Sequence, residues 1–138
     1  STEAVKFYIN GTEETGMLDY GSTLGAAIYN SDVNFTVGSG MEDGAIGNHY
    51  FDGLIDDVRV WNDLRTAAEI SANYLKELVG NEAGLVGYWK LNNNYNDETA
   101  NASHLTVVNS PVFSTDVPFV DAPAATKKVL PPIIIDEL

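Results

Sequence analysis

Asp56 is the residue whose chemistry most needs an explanation in this 138-residue chain. The alternating pattern of residues 54–61 predicts a β-strand, and alternation places the Asp56 carboxylate among the aliphatic side chains of one face. A buried charge without a partner is very costly. The sequence therefore predicts a compensating feature, which is backbone N–H groups, Arg59 or Arg65, a cation, or a bulge that turns the side chain outward.

Oxygen-donating residues in and beside the loops predict a structural calcium site. Calcium binds about six to eight oxygen atoms from carboxylates, carbonyl groups and water, and it accepts ligands scattered through loops. Asp56 and Asp97 are the main candidate ligands, and Glu42 or Asp43 in a Gly-rich stretch are further candidates. The alternative for Asp56 is a buried carboxylate that protein donors alone hold in place.

The same acidic residues do not form the pair that glycoside hydrolysis requires. That reaction needs two carboxylates about 5 to 10 Å apart across the scissile bond, whereas Asp56 and Asp57 point to opposite faces of the predicted strand. The histidines, His49 and His104, lie in or beside predicted loops. The sequence contains neither a G-x-S-x-G turn nor a phosphate-binding G-x-x-x-x-G-K-S/T loop. We therefore predict that the chain is not an enzyme.

Aromatic residues near loops are candidates for carbohydrate binding, which uses exposed rings together with polar groups that bind hydroxyls. Trp61 and Trp89 fall within predicted strands, where packing in the core is the favoured role. The remaining candidates lie beside loops: Tyr29, His49, Tyr50 and Tyr95. These residues are the predicted ligand-binding set, and they do not indicate a particular sugar.

Composition excludes several classes of partner. The formal net charge of −13 repels phosphate backbones, which argues against nucleic acid. No apolar run approaches the roughly 18 residues needed to span a bilayer, so no membrane insertion is predicted. The chain has no cysteine, which removes disulfide and thiolate chemistry.

Short strands separated by turns dominate the predicted secondary structure. Strands are predicted over residues 3–10, 26–29, 33–38, 50–61, 84–91, 105–108 and 117–120. The Asn-Gly pair at 10–11 predicts a hairpin turn, and residues 38–48 predict a Gly-rich acidic loop. Residues 66–69 (TAAE) form a capping box at the start of a helix whose apolar stripe continues until Gly80.

Three separated motifs resemble the laminin-G-like domains of the concanavalin A-like lectin/glucanase superfamily. They are VKFYING at 5–11, FDGLIDDVRVWN at 51–62 followed by the helix start at 66–70, and NEAGLVGYWKLNN at 81–93. The resemblance implies a jelly roll that often holds structural calcium. Asp56 matches the aspartate of the family's Gly-x-Ile-Asp motif, and Asp97 matches its aspartate after the penultimate strand. Such domains normally open with further strands, which are missing before Val5.

The predicted fold is an all-β, antiparallel β-sandwich of concanavalin A-like jelly-roll type with one short helix, lacking its opening strands. Residues 1–120 form this partial domain. Residues 121–138 are predicted to be a linker and an extended apolar tail, which is either a connection to a further domain or a donor strand.

The predicted function is a non-catalytic recognition or adhesion module of a secreted or cell-surface protein, with calcium as a structural ion. Its expected partner is a glycan or a surface protein. One alternative is a structural spacer or strand-exchange module in a large adhesin or filament, in which a partner chain or segment supplies the missing strands. Another is an accessory domain of a glycoside hydrolase, which would use the same binding surface.

Overall fold

The computed structural model describes residues 6–15, 34–42 and 45–116. Antiparallel strand pairs and one short helix make up its regular structure, which confirms the predicted all-β class. The elements in chain order are β1 (Phe7–Ile9), β2 (Thr12–Glu14), β3 (Ser39–Glu42), β4 (Ala45–Tyr50), β5 (Val58–Trp61), α1 (Ala67–Asn73) and β6 (Leu85–Trp89). Within these described ranges, no helix has the length and apolar character needed to cross a bilayer.

The chain divides into two compact units. One comprises Ser1–Ile55 with Thr66–Ala72, and the other comprises Asp56–Arg65 with Asn73–Leu138. The first unit contains the β1–β2 and β3–β4 hairpins, and the second contains the β5–β6 pair. The strands predicted at 26–29 and 117–120, and the linker and tail at 121–138, lie outside the described residues.

The β1–β2 hairpin confirms the predicted Asn-Gly turn. Asn10 and Gly11 both have positive φ angles, 52° and 77°, and the register joins Ile9 to Thr12. Positive φ at two successive residues gives a turn whose twist matches that of the strands, and glycine adopts it without a steric penalty. Phe7 and Ile9 of this hairpin remain 41% and 50% exposed.

The β3–β4 hairpin corrects two predictions. Residues 38–48 were expected to be a loop and instead supply most of a strand pair, whereas the strand predicted at 33–38 is irregular over its described part. Gly38 has a φ of 73°, so the chain turns there and pairing begins only at Ser39. Phe51 N–H donates to the Gly38 carbonyl at 2.9 Å and closes the hairpin's open end.

Strand β5 is shorter than predicted, and this changes the position of Asp56. Only Val58–Trp61 is a strand. The residue before it, Asp57, has a φ of 56°, a left-handed conformation that interrupts the extended run. The alternation that placed Asp56 on the face of Val58 therefore does not apply, and the strand predicted over 50–61 is wrong for residues 51–57.

Helix α1 begins where the sequence predicts and ends earlier. Thr66 Oγ1 accepts from Glu69 N–H at 3.2 Å, and the Glu69 carboxylate accepts from Thr66 N–H at 2.8 Å, which confirms the capping box. The helix ends at Asn73 rather than near Gly80. The Asn73 carbonyl instead accepts from Lys76 N–H at 3.1 Å and from the Arg59 guanidinium at 2.9 Å, so side-chain and turn donors replace the next helical turn.

Strand β6 confirms the strand predicted at 84–91 and supplies the best-buried apolar side chains. It pairs antiparallel with β5, joining Val58 to Trp89, with an irregularity before Trp61. The described residues contain three buried hydrophobic side chains, and all belong to β6: Leu85, Tyr88 and Trp89. Residues 105–108, by contrast, form no strand, which corrects the strand predicted there.

Candidate functional site

The loop after β6 is organised around the Asp97 carboxylate, which is only 4% exposed. Its Oδ1 accepts from the N–H groups of Tyr88 at 3.0 Å and Thr99 at 2.9 Å. Its Oδ2 accepts from Thr99 Oγ1 at 3.0 Å and from Ser103 N–H at 2.9 Å. One side chain therefore joins the loop to the strand, and its negative charge is balanced by four protein donors.

These contacts also determine the protonation of Asp97. Burial by itself would raise the pKa of the carboxyl group, because burial disfavours charge. The hydrogen bonds from Thr99, Tyr88 and Ser103 outweigh that effect and lower the pKa below its ordinary value. Asp97 is thus held as a carboxylate at neutral pH, in the role of a structural acceptor.

The same loop covers the outer edge of β6. Tyr88 donates its N–H to Asp97, and its carbonyl accepts from Glu98 N–H at 2.8 Å. The Val86 carbonyl accepts from Asn101 Nδ2 at 2.8 Å. Because these backbone groups are bonded to the loop, they are not offered to another strand.

A second buried network joins β5, β6 and the segment after α1. The Arg59 guanidinium donates to the Asp57 carboxylate, to the Lys76 carbonyl and to the Asn73 carbonyl. It lies 5.4 Å from the centroid of the Tyr88 ring, a cation–π arrangement. The side chains of Arg59 and Asp57 are 12% and 7% exposed, so this is a buried ion pair.

The buried ion pair is not fully compensated by hydrogen bonds. Asp57 Oδ1 and Arg59 Nε are buried and have no hydrogen-bond partner among the described residues. Burial raises the pKa of Asp57, although interaction with the Tyr88 hydroxyl and the positive charge of Arg59 both oppose the shift. Burial likewise raises the pKa of the Tyr88 hydroxyl, which accepts from Leu78 N–H at 2.9 Å. The network is well placed to hold residues 73–78 against the strand pair.

Asp56 has neither of the arginine partners considered for it. Arg59 pairs with Asp57, and Arg65 pairs with Asp63 at 3.3 Å. Asp56 itself is half-buried, and its pKa is raised by burial and by the negative charges of Asp57 and Glu77.

The described carboxylates do not fit a calcium ion. The four donors around Asp97 already occupy both of its oxygen atoms. Their hydrogen atoms, which carry partial positive charge, lie where a bound cation would have to lie. Among residues 6–15, 34–42 and 45–116, no group of three or more histidine and acidic side chains could hold a metal ion. Asp43 lies outside these ranges, and Glu42 lies at their edge. Calcium binding by the protein stays a prediction without support from this geometry.

The predicted ligand-binding residues are divided between the two units. His49 and Tyr50 are exposed neighbours on β4, in the first unit. Tyr95 lies in the loop after β6, in the second unit, and its ring packs against Phe113. Tyr29 lies outside the described residues.

Two features of this region were not predicted. Sequence reasoning did not select Phe113 as a binding candidate. Its position two residues after Pro111, in a polar loop, is a signal that could have identified it. The buried Arg59–Asp57 pair was also missed. The positive φ of Asp57 that permits it follows from tertiary contacts and leaves no mark in the alternation pattern.

Comparison with known proteins identifies the family. A family of laminin G type, described as the concanavalin A-like lectin/glucanases superfamily, matches residues 1–71, just over half of the 138-residue chain. The chain belongs to this superfamily. No curated protein and no solved structure matches it significantly. The motifs at 5–11 and 51–62 lie inside the matched segment, and the motif at 81–93 lies outside it.

Strand β6 pairs across the boundary of the family match. Strand β5 lies within residues 1–71, whereas β6 begins at Leu85. The last matched strand is therefore completed by a strand from the segment that follows the match. The buried hydrophobic side chains of the described residues, all on β6, therefore lie beyond the matched segment.

Proposed function

We propose that the chain is a non-catalytic recognition module of a secreted or cell-surface protein that binds carbohydrate or protein. The observation that carries this proposal is the exposure of large aromatic side chains: Phe35 (61%), Tyr50 (44%), Phe51 (53%) and Phe113 (41%). Exposed aromatic rings are enriched at binding surfaces, where they contribute large contact areas. Membership of a lectin/glucanase superfamily supports a carbohydrate ligand.

The non-catalytic part of the proposal rests on how the buried carboxylates are used. Asp57 is paired with Arg59, and Asp97 accepts four hydrogen bonds. A general acid or nucleophile must be able to reach a substrate. These two carboxylates are instead committed to the protein's own donors, which supports a structural role for both.

Glycan binding and hydrolysis should be measured on the same preparation. The purified chain is applied to immobilised neutral and anionic oligosaccharides, and the same sugars are incubated with it and analysed for reducing ends. We expect saturable binding to at least one glycan without new reducing ends. Hydrolysis would contradict the non-catalytic assignment, and binding to none of the glycans would leave only a protein ligand. Protease accessibility on intact cells tests the proposed location.

A strand-exchange or spacer module is the second candidate, and the exposure of two apolar side chains on the β1–β2 hairpin favours it. A neighbouring chain could cover such side chains by adding a strand. The exposed Phe7 and Ile9 of β1 are consistent with a further covering element. The mass of the chain in solution, with and without residues 122–138, tests this candidate. A monomer in both cases contradicts it.

A further inference from the structure

Tyr95 and Phe113 form an aromatic pair on the second unit. Their ring centroids are 4.8 Å apart, and the rings are tilted by 33°. The pair joins two loops, since Tyr95 Oη donates to the Pro111 carbonyl at 3.3 Å and the Tyr95 carbonyl accepts from Leu105 N–H at 3.0 Å. Phe113 remains 41% exposed, so part of this pair faces solvent.

The backbone beneath the pair is held in place. Asp97, two residues after Tyr95, is bonded to β6 through Tyr88. Before it, Asn94 Oδ1 accepts from Asn96 N–H at 2.8 Å, and Asn94 Nδ2 donates to the Asn92 carbonyl at 3.1 Å. A ligand that stacked on the rings would not have to order this loop, which lowers the entropic cost of binding.

Neutral polar groups flank the aromatic pair along both loops. Asn93 and Asn96 are exposed on the Tyr95 side, and Asn109 and Ser110 are exposed on the Phe113 side. Carboxamides and hydroxyls both donate and accept hydrogen bonds, as sugar hydroxyls do. Their neutrality, together with the net charge of −13, disfavours anionic glycans.

We propose that Tyr95 and Phe113 are the stacking platform for a neutral oligosaccharide, with the carboxamides of Asn93 and Asn96 binding its hydroxyls. This inference rests on the proposed recognition function and assigns it a site and a class of ligand. The C–H face of a pyranose ring packs on an aromatic face, while its equatorial hydroxyls reach groups at the edge. An exposed aromatic ring, with exposed carboxamides on the same loops, supplies both kinds of group.

The test compares Phe113→Ala with a matched control at an exposed aromatic residue outside the proposed binding residues, Tyr74→Ala (39% exposed). A third variant, Tyr50→Ala, tests the other exposed aromatic surface, on β4. Isothermal titration of the full chain uses cellohexaose, xylohexaose, mannohexaose and chitohexaose, with heparin as the anionic comparison. Loss of one stacking contact should weaken binding about tenfold. We expect this loss in Phe113→Ala, little change in the control Tyr74→Ala, and recovery in Phe113→Tyr. Far-ultraviolet circular dichroism checks that each variant is folded.

The alternative outcomes separate this inference from the proposed function. If the chain binds a neutral oligosaccharide and Phe113→Ala binds equally well, the assigned site is wrong while carbohydrate recognition stands. If Tyr50→Ala alone loses binding, the site lies on β4 and the inference is also wrong. If none of the four neutral sugars binds, or only heparin binds, the neutral ligand class is refuted.

Discussion

Replacing Asp97 with asparagine should destabilise the protein, because it removes the negative charge that accepts hydrogen bonds from four donors. The carboxamide oxygen can keep the bonds from Tyr88 and Thr99, but the carboxamide nitrogen then faces Ser103 N–H, a second donor. An unsatisfied buried donor costs about 1–3 kcal/mol, and loss of charge weakens each remaining bond by about 1 kcal/mol. Burying a neutral group recovers part of this cost. We expect Asp97→Asn to lower the free energy of unfolding by about 2–4 kcal/mol.

Urea unfolding followed by tryptophan fluorescence is suited to this measurement, since Trp89 lies next to Tyr88 and donates its Nε1–H to the Ser103 carbonyl at 2.9 Å. Glu98→Gln is the matched control, because it makes the same chemical change one residue away on an exposed side chain. The control should change the free energy of unfolding by less than about 0.5 kcal/mol.

The pH dependence gives the same prediction a second test. The pKa of Asp97 is lowered in the folded protein, so its carboxylate stabilises the fold above the unfolded-state pKa, and this contribution is lost as the pH falls through the folded-state pKa. The difference in the free energy of unfolding between wild type and Asp97→Asn should therefore have its largest value at neutral pH and decrease in acid. A difference that stays constant in acid, or a neutral-pH change no larger than that of Glu98→Gln, would refute the reasoning.

Three further predictions concern other parts of the chain. Arg59→Ala should lower the free energy of unfolding by about 3–5 kcal/mol, because it leaves the buried Asp57 carboxylate without its positive partner. Arg65→Ala, at the more exposed ion pair, should lower it by about 1 kcal/mol. Equal effects in urea unfolding would contradict the assignment of Arg59 as buried. Thr66→Ala should cost about 1 kcal/mol through loss of the helix cap, and Thr66→Ser should restore most of it. The effect of Asp97→Asn should be the same in EDTA and in excess Ca²⁺. A calcium-dependent rise in the wild-type midpoint that Asp97→Asn abolishes would place the cation at Asp97.

Local sequence signals predicted the parts of the fold that depend on local chemistry. The Asn-Gly turn at 10–11 and the capping box at 66–69 need only the residues within them. The predicted strand at 84–91 is also confirmed, and apolar residues on both of its faces are buried: Leu85, Tyr88 and Trp89. The resemblance of three motifs to laminin-G-like domains predicted the superfamily, and the family match over residues 1–71 confirms it.

Predictions failed where distant residues decide the backbone. The strand over 54–61 breaks at Asp57, whose left-handed conformation accompanies its buried pairing with Arg59. Helix α1 ends at Asn73, where the same arginine binds the carbonyl. Asp97 was predicted as a calcium ligand, whereas the partners that the fold gives it are N–H groups and a hydroxyl brought together by the loop. Sequence patterns report burial and turns, and they do not report which donors a fold assembles.

The covered edge of β6 limits how copies of this protein could assemble. A sheet that grows by strand addition needs two open edges, one to join its neighbour and one to receive the next copy. Asn101 and Asp97 occupy the backbone groups of Val86 and Tyr88 on one side, so a strand cannot be added to the β5–β6 pair at that edge. Two copies that met through β5 would form a closed dimer with both outer edges terminated. By covering this edge, the loop would stop further copies from adding to the sheet, and fibres could not grow through it.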